Sequence, residues 1–239
     1  MASNFANSLI PNTAPSRDRG FRSAPRLQNA LTAQLERRLL VWLAQRVPAG
    51  INADHLTLLG FLAQFLAGVC YALAHGNKYF LLAVNGFIVL NWLGDSLDGT
   101  LARVRGHLRP SYGFYVDHII DTFGAVFLMC GLALSGYLHW QVALAMLIAF
   151  LVLSVETYLA TYTLGTFCLS HGRFGPTEIR ILLAIGNLAL LRGPYAHLGG
   201  YSCLLFDVGG AIATAGMLGM AACSAIRHTA ELYAREPLP

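Results

Sequence analysis

Four aspartates carry the chemistry this sequence can do. Asp95 and Asp98 stand three residues apart, and Asp117 and Asp121 stand four apart. On helices each pair shares one face. Between the pairs, Gly106 to Pro110 is suited to a tight turn. Two antiparallel helices joined there bring all four carboxylates to one end. The flanking segments are apolar enough to sit in a bilayer, where an unpaired buried charge costs about 2.5–3.5 kcal/mol or more. Acids in such a setting mark a functional site, and four together call for positive charge. An all-oxygen donor set suits hard divalent cations.

The rest of the chain must position these acids. Of its 239 residues 56% are hydrophobic and only 12% charged, which excludes an ordinary soluble domain and points to a polytopic membrane protein of one domain. The net charge of +4 fits the bias of basic residues toward one membrane face, and with no basic-aromatic stretch, nucleic acid is not an expected partner. The five cysteines form no Cys-x-x-Cys pair and read as small buried hydrophobes. The expected fold is an all-α integral membrane protein with six transmembrane helices, preceded by an N-terminal amphipathic interfacial helix.

The expected divisions follow composition. Residues 1–25 are polar, without apolar periodicity or a signal-peptide pattern, and read as a flexible N-terminal segment. Residues 26–50 hold an amphipathic juxtamembrane helix, in which Leu31, Leu35, Leu39, Leu40, Trp42 and Leu43 alternate with Arg37, Arg38 and Arg46. Residues 51–226 form the six-helix domain, with spans at about 56–74, 79–103, 113–138, 142–164, 178–191 and 203–223. The fifth is short for a crossing unless it tilts or extends past Arg192. Residues 227–239 read as a cytoplasmic tail. Cytoplasmic termini put 14 of the 16 lysines and arginines inside, leaving only Lys78 and Arg192 outside. The aspartates then face the cytoplasm from the cell membrane.

The run Asp95-x-x-Asp98-Gly99-x-x-Ala102-Arg103, nine residues, then Gly113-x-x-x-Asp117-x-x-x-Asp121 resembles the signature of the CDP-alcohol phosphotransferases at every defined position. The hydropathy on both sides is similar to that family's six-helix membrane fold. The resemblance implies transfer of a substituted phosphate, such as phosphatidyl, from a CDP-linked alcohol to an acceptor alcohol with release of CMP. It implies Mg2+ or Mn2+ as cofactor, two ions per site, and Asp121 as the base that takes the acceptor's proton. It also implies a nucleotide near Thr57, although a helix cap at Asn52 or Asp54 explains that polar stretch almost as well.

The residues themselves fit such a reaction. A pyrophosphate donor repels carboxylates unless cations bridge them, and paired cations can bind both phosphates and stabilise a leaving oxygen. Asp95, Asp98 and Asp117 are the principal ligand candidates, with Asp121 shared or held in reserve. An alcohol is a poor nucleophile at neutral pH, so a base is needed. Gly99 and Ala102 either leave room for the nucleotide or serve close helix packing. Arg103 is a phosphate fork or a membrane-surface anchor, and Gly113 opens space at the next helix. His118 lies off the Asp117/Asp121 face and reads as structural. A second polar group, with Arg173, Glu178 and Arg180, falls on the same side and is the candidate acceptor site. Its Gly175-Pro-Thr-Glu178 is similar to a tetrapeptide of the choline/ethanolamine branch acting on diacylglycerol, and equally serves as a helix start. Glu156, with Tyr158 and Tyr162, lines that cavity, or it pairs with an arginine. A homodimer is the expected assembly. The rival from another class is a cation or proton transporter. It explains the aspartates but not Gly99, Ala102, Arg103 and Gly113 at these spacings.

Overall fold

A computed structural model describes residues 33–164, 176–198 and 201–238. The helices are α1 (Ala33–Ala44), α2 (Ala53–Ala74), α3 (Phe80–Val104), α4 (Pro110–Leu134), α5 (Trp140–Leu164), α6 (Pro176–Arg192) and α7 (Leu205–Arg235). A hairpin of β1 (Tyr195–Leu198) and β2 (Tyr201–Leu204) joins the last two. Five helices, α2, α3, α4, α5 and α7, are long and apolar enough to cross a membrane, and this is a multi-pass membrane protein. Their outer faces carry large apolar side chains such as Leu62, Val89, Ile148 and Ile212, as lipid-facing surfaces do.

α6 has 17 residues, about 26 Å at 1.5 Å per residue, against a hydrocarbon core of about 30 Å. It still runs from one end of the bundle to the other. Arg180 in its second turn meets Asp95, and the Leu191 carbonyl near its end accepts from Lys78 Nζ at 3.1 Å.

Small residues set the helix spacing. A Cβ on Gly94 would lie 2.6 Å from the Gly60 nitrogen and from the Leu56 oxygen, so α2 and α3 cross backbone to backbone there. A Cβ on Gly131 would collide with the Gly68 carbonyl, and one on Gly68 would lie 2.5 Å from the Phe127 oxygen, which fixes α4 on α2. α3 and α4 thus both pack on α2, with little direct contact between them. α5 packs on α4 and α7, and α6 on α3. One core cluster, including Tyr71, Leu81, Val84, Leu132 and Leu190, lies toward the hairpin end. A second joins Leu40 and Ala44 of α1 to Leu56, Leu97 and Leu101 at the aspartate end.

Several expectations need correction. α7 does not stop near residue 223 but continues to Arg235, through most of the stretch read as a tail. Its polar end is supported by Arg235 Nη2 donating to Glu231 Oε1 one turn earlier at 2.5 Å. The hairpin was not foreseen. Pro194 cannot continue α6, and the exposed tyrosines 195 and 201 suit a membrane interface. α1 ends at Ala44 rather than continuing toward residue 50, and residues 1–32 lie outside the described residues. Cys70 is a buried thiol, but Cys130 and Cys223 are exposed, because a membrane helix needs no protein cover for an apolar side chain, and Cys203 is exposed on β2. These four are free thiols, and Cys168 lies outside the described residues.

Candidate active site

The Gly60/Gly94 crossing lies beside Asp95, and it brings the first turn of α2 against the last turns of α3. Thr57 Oγ1 donates to Asp98 Oδ2 at 2.6 Å, and the other oxygen of this buried carboxylate accepts from the Gly99 backbone N–H. Asp95 Oδ2 accepts from Arg180 Nη2 at 2.6 Å, with the Arg180 side chain 19% and the Asp95 side chain 34% exposed. Gly106, at φ 68, turns the chain between α3 and α4. Pro110 then opens α4 at its first turn. Asp117 and Asp121 follow on the face toward α3. Asp98 feels the charges of Asp117 and Asp95, and Asp121 feels those of Asp95, Asp117 and Asp98 together with the opposite charge of Arg180. The four acids therefore form one electrostatic cluster between two helices held apart by α2.

Among the described residues, no three His, Cys, Asp or Glu side chains are arranged as a ready metal cage. Asp95 is turned to Arg180, and Asp98 to Thr57 and its own backbone. The donor set itself, four carboxylates at one place, matches what Mg2+ and Mn2+ take.

The small residues of the motif face space. A Cβ on Gly99 would meet only the Arg103 guanidinium, at 3.6 and 4.0 Å, and one on Gly113 would meet nothing within 4 Å. Neither glycine serves a helix crossing; that work falls to Gly60, Gly94, Gly68 and Gly131. Arg103 is exposed and its Nη2 donates to Thr100 Oγ1 at 3.1 Å. Ala102 borders a cavity of about 440 Å³ with Asn52, Asp54, Arg105, His107 and Arg109. Its walls are tied. Arg105 donates to the carbonyls of Ile51, Val47 and Pro48 at 2.5, 2.8 and 3.0 Å. Arg109 pairs with Asp54, and this hydrogen bond holds its guanidinium above the usual arginine range.

The second polar group divides. Arg180 reaches the acids, and Glu178 is half-buried in the first turn of α6. Arg173 and Gly175 lie outside the described residues. Thr177 turns instead to Glu36 of α1, at 3.2 and 3.3 Å from its two carboxylate oxygens. Among the described residues Glu156 pairs with His228 and not with an arginine. His228 Nδ1 stands 2.6 Å from its Oε1, because α7 rather than α6 packs on that face of α5. Tyr162, at 88% exposed, does not join Glu156 in a cavity among the described residues. His118 has the structural role expected, its Nδ1 donating to the Phe114 carbonyl at 2.5 Å. Tyr158, grouped with Glu156 in the sequence reading, stacks edge-on at 4.7 Å from His118 and lies within the field of Asp121. One residue near the site was missed: Glu36 carries no sequence signal, since its partners are 56 to 141 residues away.

These features define a multi-pass helical membrane protein with a carboxylate cluster built from two consecutive helices. Residues 51–222 match the family model of the CDP-alcohol phosphatidyltransferases, and the chain belongs to that family. It is thus an enzyme of phospholipid biosynthesis that moves a substituted phosphate from a CDP-linked alcohol to a second alcohol and releases CMP, not an ion transporter. The chain is similar to the archaetidylinositol phosphate synthase of Pyrococcus horikoshii, 31% identical over 137 residues that span 56% of this chain and 69% of that one. Its fold is similar to that of Mycobacterium tuberculosis phosphatidylinositol phosphate synthase, whose crystal structure has CDP-DAG bound. The TM-score is 0.54 and the identity 20%, covering 82% of this chain and 92% of that chain.

Proposed function

We propose that this enzyme transfers a phosphatidyl group from CDP-diacylglycerol to a phosphate-bearing polyol such as inositol phosphate. The observation that carries the reading is Arg180, whose guanidinium reaches from α6 into the acid cluster at Asp95. An arginine there suits an anionic acceptor, which four carboxylates would otherwise repel. The similarity to two inositol-phosphate lipid synthases supports the same acceptor class.

In this reading Asp95, Asp98, Asp117 and Asp121 would hold two Mg2+ or Mn2+ ions, which would supply the positive charge that lets carboxylates and pyrophosphate share the site. Thr57 orients Asp98 by its hydrogen bond. The nucleotide lies over Gly99 and Ala102, where no side chain bars its approach, and extends toward the cavity bordered by Ala102. Arg103 binds a phosphate of the donor, and Gly113 leaves room beside it. Asp121 takes the proton of the acceptor hydroxyl. Arg180, with Glu178 and Arg173, orients the acceptor.

The membrane arrangement completes the proposal. α6 is a sixth crossing, tilted or completed by the hairpin. α1 lies in the interface, with Leu39 and Trp42 exposed beside Arg37 and Arg38. Residues 51–226 form the catalytic domain between residues 26–50 and 227–239. The basic residues favour a cytoplasmic site with both termini inside, and the enzyme works as a homodimer. The test is CMP release by the detergent-purified protein from CDP-diacylglycerol, with Mn2+ and inositol 1-phosphate. Release that depends on the acceptor supports the reading. Release only with an uncharged acceptor such as diacylglycerol contradicts it.

A further inference from the structure

One carboxylate outside the motif joins three helices at the site. Glu36 Oε1 on α1 accepts from Trp92 Nε1 at 2.9 Å and from Ser96 Oγ at 3.3 Å, both on α3. It also accepts from Thr177 Oγ1 on α6 at 3.2 Å. Trp92 and Ser96 are one turn apart on one face of α3, and Ser96 is next to Asp95. Thr177 stands three residues before Arg180, on the same face of α6. Two polar ties therefore bind the start of α6 to α3, one through Glu36 and one from Arg180 to Asp95. The negative charge of Glu36 also faces the N-terminal turn of α6, where the helix dipole favours an anion.

α1 cannot shift freely, since Leu40 and Ala44, one and two turns beyond Glu36, are buried against Leu56, Leu97 and Leu101. A core contact on α1 is thus linked rigidly to the first turn of α6. A serine or threonine pair could join α3 to α6 as a mere scaffold. A carboxylate that gathers three donors from two helices instead fixes how those helices stand relative to each other.

We propose that Glu36 is a positioning residue for the transfer reaction: it fixes the first turn of α6 on α3 and so sets Arg180 beside Asp95. The proposal rests on the reading that Arg180 orients the acceptor. Glu36 touches no substrate and acts only through α6.

The test uses the full-length protein in detergent, with CDP-diacylglycerol, Mn2+ and inositol 1-phosphate as the acceptor probe. Glu36→Ala should raise the acceptor KM about tenfold, the usual scale for a lost hydrogen-bonded charge. The donor KM and kcat should stay within about threefold. Glu36→Gln keeps a carbonyl oxygen for Trp92 and Thr177 and should restore most of the acceptor KM. Glu36→Ala added to Arg180→Ala should change the acceptor KM no further, because the residue through which it acts is gone. Should Glu36→Ala fail to fold, Thr177→Val removes only the α6 donor and should give the same selective rise. Full multiplication of the two single effects in the double variant overturns the inference. So does an equal rise in donor and acceptor KM from Glu36→Ala or Thr177→Val. If Arg180→Ala alone leaves the acceptor KM unchanged, the acceptor role of Arg180 has failed, and the route through α6 fails with it.

Discussion

The hairpin end and the aspartate end of the bundle treat buried polarity in opposite ways. Toward the hairpin, Tyr71 donates to Asn187 Oδ1 at 2.8 Å, Asn187 Nδ2 donates to Asn85 Oδ1 at 2.7 Å, and Asn85 Nδ2 donates to the Ala184 carbonyl at 3.2 Å. This chain is neutral, each donor has an acceptor, and Leu81, Val84 and Leu190 close around it. At the other end four like-charged carboxylates face a gap between helices that both pack on α2 rather than on each other. Polar groups that hold the fold are neutral and mutually satisfied. The four aspartates repel one another, with Arg180 against Asp95 as a partial counter-charge, at a cost in stability that the packed end offsets.

Variants should separate the two ends. The largest effect belongs to the acids. Asp95→Asn or Asp117→Asn should lower CMP release by about 10³-fold or more, since the lost electrostatic stabilisation is several kcal/mol and each 1.4 kcal/mol is tenfold. In chelator, Asp117→Asn should melt no lower than the unaltered protein, because a repelling charge has been removed, whereas Asp95→Asn also loses its ion pair with Arg180 and should melt lower. Loss of the fold in either variant would erase the contrast. Asp121→Asn should lower turnover by about 10²–10⁴-fold. Calorimetric binding of CDP-diacylglycerol should remain within about threefold, whereas equal losses in both would make Asp121 a ligand and not the base.

At the packed end the effects reverse. Gly131→Leu drives a side chain into the Gly68 backbone and should cost about 1–3 kcal/mol or more, read as a lower melting temperature. The specific activity of the folded fraction should hold. Tyr71→Phe strands the Asn187 carbonyl oxygen and should cost about 1–3 kcal/mol, with kcat and both KM values unchanged. A selective change in the acceptor KM in Tyr71→Phe would show that the two ends are not separable in this way.

How much was legible in the sequence follows the range of the interactions. The positions of the long apolar helices were legible because hydropathy is a local property. The acid motif was legible because its spacing falls within two helices joined by one turn. The four-residue strands carry no such pattern, and the charged end of α7 looked like a tail because the apolar run stops near Cys223 while the helix continues to Arg235. The side of each helix that faces lipid rather than protein is not written in hydropathy, which is why Cys130 and Cys223 turned outward. Partners distant in sequence were not legible at all: His228 for Glu156, and Trp92 and Thr177 for Glu36.

The central claim is that the four aspartates form one cation-dependent transfer site. CMP release from CDP-diacylglycerol, followed across a Mg2+ or Mn2+ titration after chelation, tests it most directly when the unaltered protein and Asp98→Asn are run side by side. The account predicts no release in chelator, full recovery with either ion in the unaltered protein, and no recovery at any concentration in Asp98→Asn. Release that persists through chelation, or near-normal turnover by Asp98→Asn at low Mg2+, would contradict it.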